Sequence, residues 1–340
     1  MKIAYFGVTQ DEKTYLTSRI ADAGLNGNVV FSDEKLLKEN ISTEMDFDII
    51  SVFVDSKIDK PVLDAFPNLK YIMARSVGYD HIDLTEAKKR GIIVSNVPSY
   101  GDHTVAEFTF ALILTLSRKI FLSVDRIRET GSFSIEGLRG FDLKDKTIGV
   151  IGTGKIGKKV IGLARCFGMR VIAQDAFPDK ATAEALGFQY VSFEQLLEES
   201  DIITLHVPYS TDTHHLMNRD SLAKMKRGAY LINTSRGGVV ETEALVGAVK
   251  SGQVGGAGLD VLEEELVIKD ELDFIAKGNV AEHNIKTILA NHVLINLPNV
   301  VITPHNAFNS KEALERILDA SVEGISAFLK GTPINVVNGA

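Results

Sequence analysis

Four segments of this chain deliver reactive residue types at the ends of apolar runs. The most informative is Thr147-Ile148-Gly149-Val150-Ile151-Gly152-Thr153-Gly154-Lys155-Ile156-Gly157, an apolar strand running into a G-x-G-x-x-G turn. A helical pattern follows from Lys158 to Phe167, then a second strand from Arg170 to Gln174 that ends at Asp175. Each part has a mechanical job. Gly152 allows the tight turn, Gly154 lets backbone approach a pyrophosphate, and Gly157 lets helix and strand pack closely. The helix start at Lys155 and Ile156 presents free amides to phosphate oxygens. Asp175 stands where a carboxylate accepts hydrogen bonds from an adenosine ribose diol. A ribose 2′-phosphate would be repelled there, and Ala176-Phe177-Pro178-Asp179 supply no cation before Lys180. The pattern therefore predicts a dinucleotide site that takes NAD rather than NADP.

The second segment is Ile232-Asn233-Thr234-Ser235-Arg236-Gly237-Gly238, where an arginine beside two glycines follows an apolar strand. A guanidinium at a strand edge can grip a carboxylate through two parallel bonds, although a surface salt-bridge arginine fits this segment equally well. The third, Gly258-Leu259-Asp260-Val261-Leu262-Glu263-Glu264-Glu265, ends a strand in an acidic cluster; such clusters also serve as solvated faces. The fourth, Val300-Val301-Ile302-Thr303-Pro304-His305-Asn306-Ala307-Phe308, delivers a histidine, the side chain whose ordinary pKa suits proton exchange near neutrality. Taken together the set is a nucleotide site, a carboxylate clamp, an acid and a proton-transfer base. A metal centre is not expected, because His214 and His215 are adjacent and no Cys pair or H-E-x-x-H spacing occurs.

The elements that must carry these residues alternate between apolar runs and helical patterns, the signature of α/β folding with parallel sheets. Strands are predicted at Lys2–Phe6, Val29–Phe31, Asp48–Val54, Tyr71–Ala74 and Ile92–Ser95, with a helix over Glu12–Ala23. A second series falls at Ile148–Ile151, Val171–Gln174, Ile202–His206, Tyr230–Asn233 and Gly256–Leu259. The tail from Lys311 to Leu329 carries Leu314, Ile317, Leu318, Ile325 and Phe328 at helical spacing. An economical topology returns it to the N-terminal unit. That leaves two doubly wound domains, 1–100 with 300–340, and an inserted nucleotide domain over 101–299. The charged stretch from Glu263 to Leu297 reads as a loop with short helices.

The chain has 340 residues, enough for two cores, with 45% hydrophobic and 24% charged residues and a net charge of −8. That balance argues against nucleic acid as the main partner. The one cysteine, Cys166, excludes an intrachain disulfide, reads as a buried structural thiol and fits a reducing cytosol. The first residues read as a strand rather than a signal peptide. The most apolar stretch, Val105 to Leu116, contains Glu107 and is too short for a bilayer span, so it reads as a buried interface helix.

Beyond the fingerprint, a further set of strings matches one known family. They are Arg75-Ser76-Val77-Gly78-Tyr79-Asp80-His81-Ile82-Asp83, Asn96-Val97-Pro98-Ser99-Tyr100, Thr104-Val105-Ala106-Glu107 and Leu205-His206-Val207-Pro208. With the Arg236, Asp260–Glu265 and His305–Phe308 segments they resemble, in order and over nearly the whole chain, the D-isomer-specific 2-hydroxyacid dehydrogenases. The long segment before His305 and the aromatic Phe308 resemble the D-lactate dehydrogenase branch. Gln174 in place of a common tyrosine and Gly101 in place of a common serine are departures.

The resemblance implies a flavodoxin-like substrate domain holding an inserted Rossmann domain, with NADH as cofactor. It implies that Arg236 holds a 2-oxo acid carboxylate, helped by backbone amides around Ser76, Val77 and Gly78. His305 would give the proton, with Glu265 bonded to it and favouring its charged form. Tyr100 and Phe308, with Phe53 beside them, would line the side-chain pocket, where no extra cation invites a phosphate. Cofactor contacts would come from Gly152, Gly154, Lys155, Ile156, Gly157, Asp175, His206, Val207, Pro208, Thr234 and Asp260. A cytoplasmic homodimer reducing pyruvate to D-lactate is the expectation, with no nucleic-acid or membrane partner. The rival readings are a relative acting on glyoxylate, hydroxypyruvate or a phosphorylated hydroxy acid, and an NAD-responsive corepressor-like binding protein.

Overall fold

The computed structural model describes residues 1–25, 28–41, 45–269 and 284–339. The chain divides into two α/β units, Met1–Tyr100 with Asn309–Ala340, and Gly101–Phe308. The first contains five strands: β1 (Ile3–Tyr5), β2 (Val29–Phe31), β3 (Ile49–Val52), β4 (Tyr71–Ala74) and β5 (Ile93–Ser95). They pair in parallel in the order β2-β1-β3-β4-β5, the flavodoxin-like arrangement. β3 and β4 are buried at every position, as parallel strands covered on both faces must be.

Helix α1 (Gln10–Asp22) starts at a reciprocal capping box, with the Thr9 hydroxyl accepting from Glu12 N–H and the Glu12 carboxylate accepting from Thr9 N–H. The tail forms a helix over Lys311–Leu329, matching the span read from its apolar spacing. Its buried Leu318, Val322 and Ile325 join β1 and β4 in one cluster, and Phe328 stacks on Tyr71 at 4.4 Å. Each such fully buried aliphatic side chain contributes about 1.5–3 kcal/mol. Arg19 of α1 donates to Asp319 at 2.6 Å, so the tail belongs to the first unit, as the topology argument expected.

The second unit has seven strands: β6 (Thr147–Ile151), β7 (Arg170–Gln174), β8 (Gln189–Tyr190), β9 (Ile202–Leu205), β10 (Ala229–Asn233), β11 (Val254–Leu259) and β12 (Val300–Ile302). Their order is β12-β11-β10-β9-β6-β7-β8, all parallel. The boundary differs from the sequence reading. Val300–Ile302 pairs with Ala257–Leu259, which holds this strand and His305 in the second unit, and the division falls after Phe308 instead of at 299/300.

The apolar helix Asp102–Ser117 buries Val105, Ala106, Phe110, Leu112, Ile113 and Leu116 within the second unit, and Phe110 stacks on Phe167 at 5.1 Å. No described helix is long and apolar enough to cross a membrane. Cys166 corrects a second expectation, for it is exposed. The helix Lys155–Cys166 buries Gly157, Val160, Ile161 and Ala164 on one stripe, and its last position turns away from that stripe. The region read as loop with short helices contains helices at Glu265–Lys269 and Ile285–Ile295, and 270–283 lie outside the described residues.

Candidate active site

The sheet of the second unit reverses its order between β9 and β6, and ligands of open α/β sheets bind at that edge, outside the carboxyl ends of the strands. The G-x-G-x-x-G turn follows β6 there. Gly152 adopts φ +91°, and a side chain on it would strike the His206 carbonyl, so the turn lies tight against His206 and Val207. A Cβ on Gly157 would run into the Gly152 carbonyl. Gly154, in contrast, faces open space and caps the helix Lys155–Cys166 without any side-chain bond. A glycine turn with no capping side chain at a helix start lets an anion approach the backbone, as a pyrophosphate requires.

Asp175 directly follows β7 beside this turn. Its Oδ2 accepts from Thr153 N–H at 2.6 Å and the Thr153 hydroxyl at 2.9 Å, and its Oδ1 accepts from Phe177 N–H at 2.8 Å. Burial pushes the carboxyl up, but these bonds and the Lys158 charge outweigh it and hold the group below its ordinary value. An ionised, oriented carboxylate next to a phosphate cradle suits a ribose diol and opposes a 2′-phosphate. The residues present fit NAD. Thr153 is the part the sequence reading missed, and its place inside the glycine fingerprint, between the first two glycines, was the available signal.

The other strand ends of this edge hold the remaining cofactor candidates. His206 to Pro208 follow β9, with Pro208 exposed and its carbonyl accepting from the Thr213 hydroxyl. The His206 ring bonds Thr204 at 2.9 Å, and burial pushes its pKa down to about 3, so this imidazole is neutral throughout the working range. Thr234 follows β10, buried against Thr109 at 3.1 Å. Lys155 is exposed and Ile156 half-buried at the start of the helix.

Three neighbouring strands, β10, β11 and β12, deliver Arg236, Asp260 and His305. Asn233, Leu259 and Ile302 are in register across them. The Arg236 turn is built by Asn233, wholly buried, whose carboxamide oxygen accepts from Ser235 N–H and hydroxyl and whose amide donates to the Arg236 carbonyl. Arg236 itself is partly buried, with Nη1 donating to the Ser235 carbonyl at 2.8 Å. Gly237 lies against the Leu262 backbone with no room for a Cβ, which ties the arginine turn to the acidic loop.

His305 sits at φ +52°, a left-handed conformation that L-residues rarely adopt. Asp260 explains how it is held. Its carbonyl accepts from His305 N–H at 2.8 Å, and its carboxylate accepts from Asn306 N–H, Ala307 N–H and the Thr303 hydroxyl. The side chain is 1% exposed, and burial raises its pKa against the pull of those bonds and of His305. Asp260, expected beside the cofactor and as an aid in ordering the His305–Glu265 pair, is seen here clamping the histidine turn. His305 Nδ1 lies 2.8 Å from Glu265 Oε1. A carboxylate can only accept, so Nδ1 carries the hydrogen and Nε2 is the nitrogen left for exchange. Phe308 stands edge-on to the His305 ring at 6.3 Å.

Glu263 turns out to be structural. Its carboxylate accepts from Thr242 N–H and hydroxyl and pairs with His215 Nε2 at 2.7 Å, while His215 stacks on His214 at 3.8 Å. Among the described residues no group of His, Cys, Asp and Glu is arranged to hold a metal.

In the first unit, Ser76, Val77 and Gly78 follow β4. Their carbonyls accept from Val97 N–H, Asn96 Nδ2 and the Ser76 hydroxyl, respectively. No group among the described residues takes up the N–H of Val77 or Gly78. A loop whose carbonyls are engaged while these amides are not is suited to an anion. Tyr100 is half-buried in the cluster under the tail helix, and its carbonyl accepts from Arg316 Nε at 2.7 Å. A cation therefore does lie beside Tyr100, contrary to the sequence reading, because the tail helix returns to this unit.

A reversed-order parallel sheet with a glycine turn into an uncapped helix, an oriented Asp175 carboxylate and a His305–Glu265 pair at one edge is an arrangement that suits a dinucleotide-dependent oxidoreductase. Residues 110–307 match the family model described as D-isomer specific 2-hydroxyacid dehydrogenase, NAD binding domain. The chain is 35% identical over 335 residues to D-lactate dehydrogenase of Escherichia coli, covering 97% of this chain and 98% of that one. It is also 35% identical over 339 residues to glyoxylate reductase of Korarchaeum cryptofilum, covering 96% of each. The structure of D-lactate dehydrogenase from Aquifex aeolicus complexed with NAD and lactic acid matches with a TM-score of 0.88 and 36% identity over 100% of both chains. The chain belongs to the D-isomer-specific 2-hydroxyacid dehydrogenase family. It is an NAD-dependent oxidoreductase that acts on the CH–OH group of small D-2-hydroxy acids.

Proposed function

We propose that this enzyme is a D-lactate dehydrogenase that reduces pyruvate to D-lactate. The observation that carries the reading is the His305–Glu265 pair at 2.8 Å with Phe308 edge-on to the same imidazole. A proton donor bordered by an aromatic ring suits a 2-oxo acid with a small apolar substituent. Bound NADH supplies the hydride. His305 holds a proton at Nε2 and gives it to the carbonyl oxygen as negative charge develops there, and takes it back in the reverse direction. Glu265 keeps the ring oriented and compensates the imidazolium. Arg236 grips the carboxylate and polarises the carbonyl.

The test is NADH oxidation with pyruvate, hydroxypyruvate, glyoxylate and phenylpyruvate, with the chirality of each product assigned. Pyruvate turned over fastest, to D-lactate, supports the reading. Preference for glyoxylate or hydroxypyruvate would move the enzyme to the glyoxylate-reductase side of its relatives. No turnover of any of them would favour a sensor role.

Asp175 is the ribose ligand in this reading. Asp175→Ser removes the charge that opposes a 2′-phosphate, and the ratio of kcat/KM for NADH over NADPH is expected to fall by about two orders of magnitude. Steady-state kinetics with both cofactors check this, and an unchanged ratio would remove Asp175 from the site.

The enzyme is further proposed to be a cytoplasmic homodimer. A single exposed thiol suits a reducing compartment. The helix Asp102–Ser117 spends its apolar face inside its own unit, whereas Phe121, Ile127, Phe133 and Ile135 are exposed, the last two at 84% and 85%. Apolar surface of that kind marks an interaction face. Sedimentation equilibrium is expected to give a dimer for the native chain and a monomer for Phe133→Asp/Ile135→Asp.

A further inference from the structure

Arg75 directly follows β4 and is 1% exposed, the largest side chain among the described residues so completely buried. Its Nη1 donates to the Ser51 carbonyl at 3.0 Å and the Ser51 hydroxyl at 3.3 Å, and its Nη2 donates to the carbonyls of Phe6 at 2.7 Å and Gly7 at 3.0 Å. The guanidinium also lies over the Tyr5 ring at 5.8 Å. Every one of these partners is neutral, and no carboxylate forms an ion pair with it among the described residues. Glu12 bears on it through space, but that carboxylate is engaged by Thr9 in the capping box.

Buried charges are ordinarily paired, because an isolated ion loses its hydration without recompense. Here burial lowers the Arg75 pKa to about 10, which still leaves the group charged near neutrality. Folds with this strand order take ligands at the crevice between the ends of β1 and β3, and this guanidinium bridges those two ends through the carbonyls of Phe6, Gly7 and Ser51. The fold therefore keeps a desolvated positive charge at the carboxyl edge of the sheet. The residue that follows it in the chain is Ser76, first of the loop whose Val77 and Gly78 amides have no partner among the described residues.

We propose that Arg75 is a positioning residue for substrate, whose missing counter-ion is the substrate carboxylate held on the Val77 and Gly78 amides. It makes no contact with the ligand. Its charge acts through the loop, in a region of low polarizability where such fields persist, and favours an anion over a neutral ligand of the same shape. This rests on the reading that a 2-oxo acid binds there through its carboxylate.

The experiment compares kcat/KM for pyruvate with that for methyl pyruvate, its neutral ester, in the native enzyme and three variants. Arg75→Met removes the charge. Ser51→Asp keeps the arginine and sets a carboxylate against its Nη1, compensating the charge by a route with a different folding risk. Arg75→Lys keeps a cation. The native enzyme is expected to prefer the anion strongly. Arg75→Met and Ser51→Asp, each checked for folding by thermal melting, are expected to lose about tenfold or more of that preference, chiefly through KM for pyruvate. Arg75→Lys is expected to keep most of it, and KM for NADH is expected to stay put in all three. A purely structural role would lower the melting temperature and slow both substrates alike, leaving the ratio unmoved, and that result in either folded variant overturns the proposal. A native enzyme that turns over pyruvate and its ester equally would instead overturn the carboxylate reading of the loop, and this proposal with it.

Discussion

Replacing His305 with asparagine is expected to lower kcat/KM for the 2-oxo acid by about 10²–10⁴-fold, the usual worth of a positioned general acid. NADH affinity, read by fluorescence titration, is expected to stay within about twofold. Asparagine is the informative replacement because of the backbone. His305 occupies φ +52°, which asparagine tolerates and alanine does not, so the turn clamped by Asp260 survives the change. An alanine variant would confound lost chemistry with a strained turn. The loss should fall on kcat and kcat/KM together, since the proton is needed only as the carbonyl oxygen gains charge. Glu265→Gln keeps a bond to Nδ1 but removes the charge opposite the imidazolium, so it should cost less than His305→Asn. Turnover in His305→Asn close to the native rate would end the assignment of His305 as the proton donor.

The parts of this molecule that were legible in the sequence are those written in contiguous residues. Val29–Phe31 and Tyr71–Ala74 match the predicted strands residue for residue, because each is a short apolar run bounded by polar residues, although only the second is fully buried. The glycine fingerprint and the tail helix were legible for the same reason. What escaped is long-range. Nothing local in Val300–Ile302 says that its partner is β11, so the boundary was set before it rather than after Phe308. Asp260 read as one of four acids, and only the fold brings the amides of Asn306 and Ala307 to its carboxylate. Glu263 and Glu265 stand two residues apart in that cluster, yet one bolts His215 to Thr242 and the other meets His305. Arg75 lay inside a matched string, but its burial depends on β1 and β3 closing over it.

Arg236 carries the second large effect. Arg236→Lys retains a positive charge but not the planar fork, and a lysine at a bidentate site is not a conservative change. The turn around it favours a clean experiment. Asn233 holds the backbone of Ser235 and Arg236 through bonds that do not involve the arginine side chain, and Gly237 fixes the loop against Leu262. The variant should therefore fold as the native enzyme does and leave NADH binding unchanged. Losing one arm of a charged, paired hydrogen bond to substrate costs about 2–5 kcal/mol, or roughly one and a half to three and a half orders of magnitude in kcat/KM. Arg236→Ala, which loses the charge as well, should fall further. How the loss divides is informative. A rise in KM with kcat held would mean that the arginine only grips the carboxylate, equally in substrate and transition state. A fall in kcat as well means that it also polarises the carbonyl as hydride arrives, the expected result. Near-native kinetics in Arg236→Lys would reduce Arg236 to a surface cation and leave the carboxylate to other groups.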